Sequence, residues 1–165
     1  MKKLTALALA ILMLASLLAA CGSDSDSKKE SSVDLKGLLS DINTEFDISE
    51  TTVQGLKILE STDELDRYYM ISGDDIKQFA AERTSSSTDF TEIVIVEANG
   101  SEEVDKIVKQ LNSRLDAQRN TAKSYNPDSV EVLEKCEVKT SGNFVYMVIN
   151  DKCDEINQMI EDKIA

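Results

Sequence analysis

The sequence predicts an α+β domain: a mostly antiparallel sheet of about four strands with helices packed on one face. Three observations predict it. Residues 91–98 (TEIVIVEA) and 143–150 (NFVYMVIN) carry apolar residues on both faces, as strands central in a sheet do. Each run is followed by a turn and then by apolar residues at helical spacing. The two blocks also echo each other. Residues 93–96 lie over 145–148, and Val104, Ile107 and Val108 lie over Ile156, Met159 and Ile160. With one further strand ahead of each block, the echo becomes a strand-strand-helix pseudo-repeat.

Taken in order, the chain opens on Met1, Lys2 and Lys3, then an apolar or small-residue run to Leu17. A basic start, an apolar stretch and small residues before a cut are the marks of a secretory signal peptide. Residues 22–32 (GSDSDSKKESS) have no apolar residue with which to build a core. Between them, Leu18-Ala19-Ala20-Cys21 resembles the lipobox of bacterial lipoproteins. That resemblance implies that a signal peptidase recognises Leu18, Ala19 and Ala20 and cuts before Cys21. It also implies diacylglycerol on the Cys21 thiol, holding the protein on the extracytoplasmic face of the cell membrane. One acyl chain anchors only marginally, at about 0.8 kcal/mol per buried methylene, whereas two or three hold stably. The expected organisation is a cleaved signal peptide over 1–20, a lipidated cysteine and flexible tether over 21–32, and one domain over 33–165.

Within that domain, residues 33–46 place Leu35, Leu38, Leu39, Ile42 and Phe46 at helical spacing, with Asp34 near the start and Gly37 weakening the helix. Residues 47–61 are ambiguous; Thr52, Val53 and Gln54 suit the start of a strand that Gly55 interrupts. Residues 62–70 suit a short helix capped by Thr62 that packs Leu65 and Tyr69. After a turn at 72–75, residues 76–83 fit two patterns. Ile76, Phe79 and Ala80 match a helix face, and Phe79 and Ala81 an alternating strand. Beyond the strand at 91–98, Ser101 is the expected cap of a long helix reaching about Ser124, ended by Pro127. Val130, Val132, Cys136 and Val138 alternate, predicting a half-exposed strand over 130–140. Ser141-Gly142 signals a tight turn, and Asp151 begins a last helix with Ile156, Met159, Ile160 and Ile164 inward.

Four short stretches carry a further likeness: residues 91–95 (TEIVI), 114–118 (RLDAQ), 125–127 (YNP) and 142–146 (GNFVY). Together they resemble a family of small lipoproteins of clostridial-type Gram-positive bacteria, known only as a domain of unknown function. The likeness runs from Asp75 to Asp151. It implies a strand at the Ile76 segment and brings no activity.

Composition narrows the function. Acidic residues outnumber basic ones 31 to 18, a net charge of −13 that repels phosphate backbones and argues against nucleic acid as a partner. With no His, the chain lacks the usual general base and the commonest zinc ligand. No motif calls for a cofactor or a metal. Cys136 and Cys153 are a candidate disulfide. If Ser141-Gly142 closes a two-residue hairpin, Cys136 faces Met147, and a bridge needs the chain to fold sharply back after Asn150. Two separate buried thiols are the alternative. Asp151, Asp154 and Glu155 read as helix-capping acids in preference to calcium ligands. Arg114, Gln118 and Arg119 suit either an anionic ligand or pairing with nearby acids, and Tyr68 and Tyr69 suit packing. The function expected is a non-enzymatic, lipid-anchored module that binds an unidentified envelope protein, with a small-solute-binding accessory lipoprotein as the alternative.

Overall fold

The computed structural model of the chain describes residues 33–48, 55–86 and 89–165. The signal peptide, lipobox and tether expected over 1–32 lie outside them. Ser32–Ala165 group as one compact unit.

Helix α1 (Leu35–Phe46) starts at Asp34, whose carboxylate accepts hydrogen bonds from the Lys36 and Gly37 N–H groups at 3.1 Å each. These are donors that a first helical turn otherwise leaves without partners. Leu35, Leu38, Leu39 and Ile42 form its buried face. Strand β1 (Leu56–Ile58) follows, then α2 (Thr62–Tyr69). The cap of α2 is Ser61 rather than Thr62: the Ser61 hydroxyl accepts from the Glu64 N–H. A 3-10 turn (Gly73–Asp75) leads into β2 (Ile76–Thr84). The segment that fitted two patterns is therefore a strand, held along almost its whole length by β3 (Glu92–Ala98). Helix α3 (Ser101–Tyr125) begins after Gly100 without a side-chain cap, so Ser101 is its first residue and not its cap.

The strand expected over 130–140 is mostly helix. Pro127–Ser129 forms a 3-10 turn, Val130–Lys135 is helix α4, and strand β4 covers only Val138–Ser141. The alternating pattern left out Leu133, which is fully buried and stands one helical turn from Val130. Arg119 of α3 fastens the end of α4, donating from Nε to the Leu133 carbonyl (3.1 Å) and from Nη2 to the Cys136 carbonyl (2.8 Å). Gly142 and Asn143, not Ser141 and Gly142, form the hairpin turn to β5 (Phe144–Ile149). Gly142 sits there at φ +56°, a conformation glycine adopts at no steric cost. Helix α5 (Cys153–Ile164) ends the chain.

The sheet has five strands in the order β1-β2-β3-β5-β4, and each neighbouring pair is antiparallel. The class is α+β, and the strand beyond the expected four is β1, from the ambiguous segment. Helices cover both faces, where the sequence reading put them on one. Glu92 on one face meets Tyr69 of α2 and Arg114 of α3. On the other, Glu82 (opposite Ile93) meets Asn43 of α1, and Tyr146 (opposite Ile95) meets Glu161 of α5. All seven residues of β3 are buried, which needs a cover on each side. The two strand-strand-helix units thus place their helices on opposite faces.

Candidate functional site

Helix α1 lies over β2 and β3 and stops short of the edge strand β1. The uncovered strip is a cleft of about 500 Å³. Leu39, Ser40, Asn43 and Thr44 of α1 form one wall, and Leu56, Ile58 and Leu59 the other. Ala80, Ala81 and Glu82 of β2 line its floor. Ala80, on the same face as Glu82, leaves space that a larger side chain would fill, while Ala81, opposite Val94, turns its side chain to the other face. Ile58 keeps 52% of its surface exposed, a large apolar side chain with a face to spare. Lys36 and Glu60, one charge of each sign, complete the lining.

Glu82 is the chemically unusual residue of this cleft. It is completely buried, and one hydrogen bond holds it: Asn43 Nδ2 donates to Oε2 at 2.7 Å. Its Oε1 has no partner, and neither has Asn43 Oδ1, although both are shielded from water. Burial pushes the Glu82 carboxyl up to about 7, with the Asn43 bond pulling the other way.

The other buried sheet carboxylates are treated differently. Glu92, also completely buried, receives both Arg114 Nε (3.0 Å) and Nη2, Gln118 Nε2 (2.6 Å) and the Tyr69 hydroxyl (3.3 Å), with Arg83 Nε at 3.7 Å. Glu97 pairs with Lys77 Nζ (3.1 Å) and accepts from Gln78 Nε2 (2.8 Å). Among the described residues no cation reaches Glu82. A buried charge without a counter-charge is costly, so the fold holds a destabilising group at the base of this cleft.

The residues singled out from the sequence fall into three groups. Leu18, Ala19, Ala20 and Cys21 lie outside the described residues. Cys136 and Cys153 are both buried, and their thiols contact each other as free thiols. Val138, not Cys136, faces Met147, because the turn lies one residue later than expected. The chain does fold back after Asn150: the Asn150 side chain accepts from Lys152 N–H, which starts α5 with Cys153 beneath Cys136. Burial, then the neighbouring Cys153, pushes the Cys136 thiol up to about 12, and burial also raises Cys153. Neither is therefore set up as a thiolate. Arg114 and Gln118 serve Glu92, and Arg119 serves Asp116 and the end of α4, so none of the three is left for an external anion. Tyr69 is buried against Glu92, and Tyr68 stacks under the Arg83 guanidinium at 4.5 Å. Among the described residues no group of three or more metal-binding side chains converges, and no helix is long and apolar enough to cross a membrane.

Sequence reading missed Glu82 and Asn43. The available signal was a glutamate directly after the apolar run Phe79-Ala80-Ala81, inside a segment that also fitted a helix, where the same residue reads as surface.

A family model described as Domain of unknown function (DUF4358) matches residues 50–150. The chain belongs to this family. The DUF4358 match spans the whole sheet, and with it Glu82 and the floor of the cleft, while α1 and Asn43 stand ahead of it. No curated protein and no solved structure matches the chain.

Proposed function

We propose that this protein is a lipid-anchored, extracytoplasmic and non-enzymatic binding domain that takes a small solute between α1 and the β1–β2 edge. The cleft carries the reading: a recess of ligand size, aliphatic along Leu56, Ile58 and Leu59, with a single uncompensated carboxyl on its floor. Attachment rests on the lipobox-like residues 18–21. A chain of net charge −13 has no electrostatic pull toward anionic lipid, so acyl chains on Cys21 supply the affinity.

A thermal-shift screen of small solutes on the Cys21→Ala chain tests the binding half. A bound solute raises the melting temperature by mass action. Ser40→Phe, which fills the cleft from an exposed position on α1, abolishes that rise. A rise that survives Ser40→Phe locates binding elsewhere and overturns the cleft reading.

One observation favours a second reading, an envelope protein that adds a strand. Strand β4 pairs only with β5, so its outer backbone edge meets no strand of this sheet. A partner crosslinked in cells through β4, and unaffected by Ser40→Phe, supports it over the solute.

A further inference from the structure

The polar floor of the cleft specifies what kind of solute it takes. Its two unpartnered atoms, Glu82 Oε1 and Asn43 Oδ1, are covered in the ligand-free protein, and with Glu82 ionised both are acceptors. The orientation of the Asn43 amide follows from its contact, since a carboxylate oxygen at 2.7 Å takes the NH2 group and turns Oδ1 away. A group that satisfies both must donate more than one hydrogen bond. On the opposite face of the same sheet, Glu92 shows how this fold stabilises a buried carboxylate: a cation, Arg114, donates to both of its oxygens. Glu82 has the same burial and no such cation. The wall of Leu56, Ile58 and Leu59 is aliphatic, and the α1 wall adds the small hydroxyl side chains of Ser40 and Thr44 beside Leu39. The rim charges of Lys36 and Glu60 oppose each other, so the carboxyl on the floor sets the charge preference.

We propose that the cleft binds a primary ammonium group carried on a small apolar body, the ammonium donating to Glu82 Oε1 and Asn43 Oδ1 while the apolar part lies against Leu39, Leu56 and Ile58. The ligand does for Glu82 what Arg114 does for Glu92. Its ammonium has three donors, enough for both orphaned acceptors with one left for water. The strongly acidic chain also raises the local concentration of cations. This inference rests on the cleft being a ligand site.

The test uses three probes with one apolar body: 2-phenylethylamine, 2-phenylethanol and phenylacetate, titrated at neutral pH into the detergent-free Cys21→Ala chain by calorimetry. The amine binds about tenfold or more tighter than the alcohol, as a charge-assisted hydrogen bond provides, and phenylacetate binds weakest. Glu82→Gln, a near-isosteric change, brings amine and alcohol to equal affinity. Ser40→Phe, which fills the cleft one helical turn from Asn43, removes binding of all three. Equal affinities for amine and alcohol in the unmodified cleft, or a preference for phenylacetate, overturn the ammonium assignment and leave the cleft reading standing. Failure of all three probes to bind overturns both.

Discussion

Replacing Glu82 by Gln should flatten the pH dependence of stability, and the size of the effect follows from the burial of one carboxyl. The folded protein holds Glu82 at about 7 against an ordinary value of 4.5. A difference of about 2.5 units, at 1.36 kcal/mol each, corresponds to roughly 3 kcal/mol. Between those two values the folded state keeps a proton that the unfolded chain has released, so stability falls as pH rises. Below about pH 4.5 both states are protonated and the contribution is fully present; above about pH 7 it is lost. Gln does not titrate, so the difference in unfolding free energy between the natural chain and Glu82→Gln should move by about 3 kcal/mol, in favour of the variant, from pH 4.5 to 8.5. Urea unfolding of both proteins across that range measures it. Hydrogen-bonded pairing with Lys57 lowers the Glu64 carboxyl, and pairing with Lys139 lowers Glu161, so both contribute in the opposite sense at more acidic pH. Both occur in each protein and cancel in the comparison. Parallel curves for the two proteins would falsify the assignment of Glu82 as a buried carboxyl without a counter-charge.

Other outcomes follow from the same contacts. Oxidation of the touching thiols of Cys136 and Cys153 by a disulfide donor such as oxidised glutathione should lower the mass by two hydrogens. Closing so short a loop should stabilise the protein by about 3 kcal/mol, read as a reductant-sensitive melting temperature. A mass unchanged after oxidation shows that the pair does not bridge. Arg114→Ala should destabilise by about 3–5 kcal/mol, because it strands the fully buried Glu92, while Arg114→Met combined with Glu92→Leu should cost much less. Equal losses from the single and double variants count against that ion pair. Cys21→Ala should release the protein into the medium; retention of the variant in the membrane fraction refutes lipid attachment through that residue.

The elements most visible in the sequence are those whose periodicity is dictated by burial on fixed sides. Residues 93–96 and 145–148 are apolar throughout because helices flank them above and below. The spacing of Ile107, Leu111 and Leu115 records one buried helical stripe. The α+β class and both central strands were legible for that reason. Short elements were not. Leu56-Lys57-Ile58 becomes a strand only because Arg83 and its neighbours in β2 offer a free edge, and three residues carry no period of their own. Residues 130–135 alternate like a strand, yet Arg119 and the burial of Leu133 select a helix. Cys136 and Cys153 come together through one turn at Asn150, whose geometry no spacing encodes.

The sequence by itself determined the fold class, the strongly acidic charge and the lipobox-like segment, since these depend on local pattern and composition. Tertiary structure alone decided which glutamates matter. Glu82, Glu92 and Glu97 are the same residue type in adjoining strands, but each one's chemistry depends on which partner the opposite element delivers. Arg114 and Gln118 arrive from α3 for Glu92, Lys77 and Gln78 from a bulged strand for Glu97, and only the amide of Asn43 from α1 for Glu82. A residue's desolvation and its counter-charges are properties of long-range packing, and so the candidate site exists only in the folded chain.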